Sequence, residues 1–429
     1  MTLDQDANLN IQNGNSAAVA DIVIVGGGPV GLLTACLLSE TGLKIVLISA
    51  DQEVLTIPKL KDISRIPDFD ARVSALTVAS ENLLASVGAW KTISSVRTCP
   101  YQDMKVWDGE GTGSIHFAAA DIHAEALGHI VENRLVTSAL NELALTRQNL
   151  DLMQGVSVQE IYGVEPSEKQ QAIQVGLKLS TDKHIYTRLL IGADGANSVV
   201  REQMGFSLRQ WDYGHQAIVT TVLTESHHQY TAWQRFMSSG PMAFLPLHLP
   251  GVERPKQCYS SIIWSCVTEK ADGIKALSDT EFIAALGESF EYKLGKVLEA
   301  GPRFSFPLYQ RHATEYVQEH VALVGDAAHT IHPLAGQGVN LGFSDAGVLA
   351  EVIKQSIESG EDFASHRVLS RYQRRRKAEN LGMMGAMEGF KRLFGSEEPA
   401  LTWLRNTGMN LADKTPLIKQ QLMRQAMGM

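Results

Sequence analysis

The chain has 429 residues, 44% of them hydrophobic and 20% charged, enough to bury two connected cores plus an extension. A formal net charge of −9 removes the basic footprint that nonspecific nucleic-acid binding needs, so no DNA or RNA partner is expected. Four cysteines (Cys36, Cys99, Cys258, Cys266) form no C-x-x-C pair, and no stretch approaches the ~20 apolar residues of a membrane span. Reduced core thiols in a cytosolic compartment are expected, rather than disulfides or zinc.

In chain order, residues 1–19 lack the basic start and apolar core of a signal or transit peptide and read as a disordered tail. Ala20–Val25 reads as a buried parallel strand. Gly26-Gly27-Gly28-Pro29-Val30-Gly31 then supplies G-x-G-x-x-G ahead of an apolar helix ending at Gly42. In that order Gly26 makes a tight turn, Gly28 admits a pyrophosphate and Gly31 lets helix and strand pack closely. The next strand, Lys44–Ile48, ends not in the acid that would bind an adenosine ribose but in Ser49, with Asp51 two residues on. Two stretches, Met104–Phe117 and Trp211–Phe306, carry alternating runs that predict antiparallel strands. Between them, the strand Leu189–Ile191 leads to Asp194-Gly195 at a parallel-sheet edge where ligands collect.

Val321–Val324 is a further buried strand, after which Gly325 turns the chain so that Asp326 can accept hydrogen bonds from sugar-like hydroxyls. Gly336, Gln337, Gly338 and Asn340 begin a helix whose free N–H groups and positive dipole end suit the N1/C2 carbonyl edge of a reduced flavin. His329 and His332 find no third ligand at sensible spacing, so no metal is expected. After Ser370 a basic run (Arg371, Arg374, Arg375, Arg376, Lys377) precedes Met383, Met387, Phe390 and Phe394 at helical spacing. Two readings stand there: a final helix packed on the nucleotide-binding unit, and a face that docks on a membrane or lines an entrance for a lipid tail.

These motifs, in this order and spacing, resemble the FAD-dependent aromatic hydroxylases (group A flavoprotein monooxygenases). HPLAGQGVNLGFSDA is similar to the signature of the ubiquinone-biosynthesis polyprenylphenol hydroxylases, and Asp70–Leu76, Leu83–Trp90, Val131-Glu132-Asn133, Phe244–Leu247 and the ending RQAMG agree with it. The resemblance implies an α/β fold: a Rossmann-like FAD-binding domain with a parallel sheet, an antiparallel-sheet substrate domain and a C-terminal helical extension. The expected boundaries are 20–103, 118–210 and 307–375 for the first, 104–117 and 211–306 for the second, and 376–429 for the third. Gly26, Gly28, Gly31 and Ser49 would hold the ADP half of FAD, Arg72 and Asn133 the pyrophosphate or flavin side, and Asp326 the ribitol. Pro333, Gly336, Gln337 and Gly338 would line the isoalloxazine, with Asp194 and Gly195 near both FAD and nicotinamide. Read as residues alone, Arg72 could equally be a surface ion pair and Asn133 a helix cap.

The activity implied is hydroxylation of a polyprenylated phenol in quinone biosynthesis. NAD(P)H binds transiently, since no second G-x-G-x-x-G is present, and O2 reacts through a flavin C4a-hydroperoxide that does the chemistry, so the catalytic residue of the chain is left unassigned. His248 and Tyr259 are positional guesses for a base and stay outside that assignment. Competing readings are a prenyl reductase, a halogenase, or a noncatalytic flavin-binding subunit of a quinone-synthesis complex; no two tryptophans stand two residues apart as in the halogenases. Expected partners are a lipophilic phenol, O2, a membrane surface met by the C-terminal region, and a quinone-biosynthesis complex or a second copy. The expected location is cytoplasmic, peripheral on the inner membrane face.

Overall fold

Runs of Ile, Val and Leu without polar alternation need cover on both faces, and the strands Ala18–Val25 and Ile45–Ser49 receive it at the centre of an eight-stranded sheet. The computed structural model describes residues 18–52, 69–164, 174–250, 258–330, 338–396 and 398–428. Five strands of this sheet run parallel in the order Val321–Leu323, His184–Gly192, Ala18–Val25, Ile45–Ser49, Leu150–Gln154. The helix Pro29–Ser39 packs against both Asn133–Ala144 and Gly338–Glu358, so three remote segments share one core.

The alternating runs form a nine-stranded second sheet, antiparallel except where Thr231–Phe236 pairs with Asp103–Asp108. Alternation divides its two faces. Ile218, Val222, Phe244, Ile262 and Trp264 pack outward on the helices Thr268–Ala276 and Asp279–Ser289. Leu223, Ala243, Leu245 and Tyr259 point the other way, onto the small sheet of Val73–Thr77, Cys99–Tyr101 and Gly128–Glu132. The strand Phe304–Ala313 belongs to this nine-stranded sheet and runs through the expected boundary at 306. Its last residues pair with His329–Thr330, which joins the second sheet to the turn bearing Asp326.

A single 30-residue helix, His366–Gly395, crosses the expected boundary at 375. The basic run at its start does not form a free basic face. Arg371 pairs with Glu361 at 2.7 Å, Arg375 with Glu351 at 2.9 Å and Lys377 with Glu315 at 3.2 Å, while Arg376 turns inward. At the other end Phe394 is buried and stacks on Phe236 of the second sheet at 4.2 Å, so this half of the helix packs on that sheet and not on the nucleotide-binding unit. The terminal helices Pro399–Lys414 and Pro416–Ala426 follow. Arg405 docks them: its Nε and Nη2 meet the two Asp108 oxygens at 2.6 and 3.0 Å, with both residues buried.

Asp108→Ala would leave the Arg405 guanidinium buried without its carboxylate, a cost of roughly 3–5 kcal/mol. Limited proteolysis should then cut between residues 396 and 414 while the FAD absorbance stays; wild-type resistance would show that this pair does not hold the helices.

Candidate active site

The glycine turn after the first strand is shaped by close backbone approach. Gly26 has φ +124°, and a Cβ there would run into the Ala193 carbonyl; a Cβ on Gly31 would run into the Gly26 carbonyl. Gly28, by contrast, has nothing within 4 Å of its Cβ position and caps the helix Pro29–Ser39 without a side chain, leaving first-turn N–H groups open to an anion. Ser49 lies buried against Gly27, where a Cβ would collide with its hydroxyl, and Ser49 Oγ accepts from the Asp51 N–H at 3.3 Å. Beside it opens a cavity of about 400 Å³ lined by Ser49, Asp51, Gln52, Arg72, Asn141 and Gln154. The carboxylate missing at the strand end is thus present in the cavity as Asp51.

The second half of the site is the turn Gly325–Ala327. Gly325 adopts φ +60°, and the turn exposes Asp326 while Gly325 and Ala327 stay buried. Although accessible to solvent, Asp326 lies deep enough among protein atoms for desolvation to raise its carboxyl above the usual range, opposed by His329, Arg311 and Arg72. Arg72 lines the cavity and acts electrostatically on Asp326, and among the described residues its side chain makes no hydrogen bond or ion pair. Its carbonyl accepts from the Asn133 N–H at 3.0 Å. Asn133 is the first residue of its helix, not the cap, and its Oδ1 accepts from Ser74 Oγ at 2.6 Å.

Asp345 is the residue that sequence reasoning missed. It lies wholly buried on the helix Gly338–Glu358. Its Oδ2 accepts from the Gly325 N–H at 3.0 Å and from His329 Nε2 at 2.6 Å; its Oδ1 accepts from Arg376 Nε at 2.7 Å and Asn380 Nδ2 at 3.4 Å. His329 and Arg376 hold the carboxyl below the usual range despite burial. The available signal was an acid among Phe343, Ala346 and Leu349, on the face of the helix that must be apolar. Asn340 went equally unread: its Oδ1 accepts from the Thr77 N–H at 3.1 Å and Ser80 Oγ at 2.7 Å, and its Nδ2 donates to the Ala75 carbonyl at 2.8 Å. That ties the start of the helix to the strand that follows Arg72.

Asp194 sits where its backbone meets Gly26, but its carboxylate is engaged locally, accepting from Ser198 Oγ at 2.5 Å and the Val199 N–H at 2.7 Å. Gly195 has φ +78° and an open Cβ position. Gly338 begins its helix, likewise with open space; Pro333, Gly336, Gln337 and His332 lie outside the described residues. His227, His228 and Cys258 place ligand atoms within 4.8 Å of one another. Both His228 nitrogens are committed, Nδ1 to the Tyr230 N–H at 3.0 Å and Nε2 to the Leu247 carbonyl at 3.2 Å, which leaves too few free donors for a metal centre. His248 is exposed, and Tyr259 is buried 5.8 Å from the ring of Phe69.

A glycine turn that a Cβ would fill, an open helix start, a nucleoside-sized cavity and an acid at the next sheet edge define a flavin-dinucleotide protein of the two-sheet kind. Residues 19–384 match the FAD binding domain. The chain is 35% identical to the mitochondrial ubiquinone biosynthesis monooxygenase COQ6 of Xenopus tropicalis, over 95% of this chain and 93% of that one. It is 34% identical to the 3-demethoxyubiquinol 3-hydroxylase of Escherichia coli K12, over 95% and 98%. The fold is that of PqsL, a probable FAD-dependent monooxygenase of Pseudomonas aeruginosa, with a TM-score of 0.72 at 18% identity over 91% of this chain and 99% of that one. The chain belongs to the FAD-dependent ubiquinone-biosynthesis monooxygenase family.

Gly26→Ala should weaken FAD binding by about 1–3 kcal/mol, because it adds both a clash with Ala193 and strain at positive φ. Titration of the FAD-free protein, read by flavin fluorescence, measures it; an affinity equal to that of the wild type would remove Gly26 from the site.

Proposed function

We propose that this chain hydroxylates the aromatic ring of a polyprenylated phenol in ubiquinone-like biosynthesis, consuming NAD(P)H and O2 and releasing water. The observation that carries the substrate class is the open inner face of the antiparallel sheet. Ile263 is only half-buried in mid-sheet beside Val219 and Leu308, and Phe304 and Phe306, on the same face, remain 44% and 36% exposed. A sheet face of this composition takes an apolar ligand. The same strand ends against His329–Thr330, so this floor leads toward the Asp326 turn. We assign the nine-stranded sheet to the substrate and the eight-stranded sheet to FAD.

FAD, when bound and reduced, supplies the activation of O2 and the electrophilic oxygen. The chain's own residues bind and orient. Gly26, Gly28 and Gly31 admit the pyrophosphate, Ser49 and Asp51 serve the adenosine ribose, Asp326 the ribitol, and Arg72 and Asn133 the phosphate or flavin side. Gly338, with Pro333, Gly336 and Gln337, serves the ring edge, and Asp194-Gly195 the nicotinamide approach. Val219, Ile263, Leu308 and the two phenylalanines exclude water and hold the lipid substrate in line. The purified protein should be yellow, and a prenylated phenol such as 2-geranylphenol should accelerate NAD(P)H oxidation and gain one oxygen by mass spectrometry. A protein that binds FAD yet neither oxidises NAD(P)H faster nor adds oxygen when given the phenol would instead support the noncatalytic-subunit reading.

For a cytoplasmic enzyme with so apolar a substrate, we place membrane contact on the two terminal helices, alone or within a quinone-biosynthesis assembly or a second copy. Trp403, Leu404, Leu411, Leu417, Ile418 and Leu422 are 43% to 80% exposed there. Residues 399–428 carry four Lys and Arg against one Asp; Arg405 is spent on Asp108 and Lys419 pairs with Asp121, while exposed Lys414 and Arg424 stand beside these apolar side chains and suit an anionic surface. No helix among the described residues is long and apolar enough to cross a membrane. Trp403→Ser with Leu417→Ser should reduce co-sedimentation with phosphatidylglycerol vesicles severalfold at unchanged FAD content; equal sedimentation would move the contact elsewhere.

A further inference from the structure

We propose that Asp345 is the positioning residue for the flavin-facing turn, and that His329 and Arg376 are its working partners. The two donors on its Oδ2, the Gly325 N–H at 3.0 Å and His329 Nε2 at 2.6 Å, lie one residue before and three residues after Asp326. They bracket the one acid of the turn without touching its carboxylate. The other oxygen faces Arg376 Nε at 2.7 Å and Asn380 Nδ2 at 3.4 Å, both from the long helix. Arg376 also donates to Asn380 Oδ1 at 3.0 Å and bonds Glu379, so its guanidinium is fixed from both sides.

Geometry separates this arrangement from plain interior glue. Asp345, His329 and Arg376 are 0%, 2% and 2% exposed, so none has water as an alternative partner, and removing one strands the others. Gly325 sits at φ +60° with its N–H captured by Asp345, and a Cβ on Gly342, one turn before Asp345, would strike Val30 of the dinucleotide helix. The helix is therefore seated on Val30 and the turn at once. A shift of Asp345 moves Asp326 relative to the pyrophosphate turn, and the two halves of one cofactor are no longer spaced for it. The inference rests on FAD binding by this family and is independent of the substrate proposed above.

The test uses the full chain, stripped of FAD and titrated with it, alongside the melting temperature of the FAD-free protein and the visible spectrum of the bound flavin. His329→Leu strands the buried Asp345 oxygen, so it should lower the melting temperature of the FAD-free protein and also weaken FAD roughly tenfold to a hundredfold. His329→Gln, whose side-chain N–H still reaches Asp345, should recover affinity to within about threefold and restore the wild-type spectrum. FAD affinity of His329→Leu equal to wild type overturns the proposal. So does an equal loss of FAD affinity and melting temperature in both His329 variants, which would make the cluster a structural pair only.

Discussion

A carboxylate with no access to water must be matched by donors in the interior, and in this protein the matching of Asp345 decides where everything else lies. Its four donors come from a glycine turn, a two-residue strand and the long helix, while Asp345 itself rides on the helix that begins the flavin-ring side. A hydrophobic contact would tolerate a sliding or rotated neighbour; an imidazole, a guanidinium and a backbone N–H do not. The cluster thus fixes a relation that packing alone would leave soft, namely the height of Asp326 above the sheet edge.

The dinucleotide half is organised by the opposite means, the removal of atoms. Gly26, Gly27 and Gly31 each sit where a Cβ would meet backbone or Ser49, so strand, turn and helix approach to contact distance. This explains why a short Ser49 is accommodated where an acid was expected. The position is pressed against Gly27, and the negative charge enters the nucleoside cavity two residues later, from Asp51. Between the two halves, Arg72 and Asn133 are linked through the backbone, so the small sheet carrying them moves with the helix Asn133–Ala144.

Charge on the C-terminal third is distributed in a way its sequence does not display. The basic run of residues 371–377 resembles a solvated or lipid-facing stripe, yet Arg371, Arg375 and Lys377 pair with Glu361, Glu351 and Glu315 and Arg376 turns toward Asp345, leaving Arg374 exposed. The stripe Met383 to Phe394 reaches the antiparallel sheet at its end, where Phe394 stacks on Phe236 across more than 150 residues of chain while Phe390 stays exposed. What the terminal helices leave uncovered is instead a run of leucines with Trp403, made available because Arg405 and Asn406 turn the opposite face onto Asp108.

Local physics determined a good deal of this molecule in advance. Apolar runs without alternation, glycine spacing at positive φ and alternating strands are properties of neighbouring residues, and they marked both sheets, the pyrophosphate turn and the Asp326 turn from the sequence alone. Arg72, Asn133, Asp51 and Asp345 are different, because a lone charge or amide acquires a role only from groups dozens to hundreds of residues away. Whether Arg72 lines the cavity while Arg376 is buried, or Phe394 is covered while Leu417 is bare, depends on which surfaces meet when the two sheets and the long helix close. That choice is made by long-range complementarity of shape and charge, which no local pattern encodes.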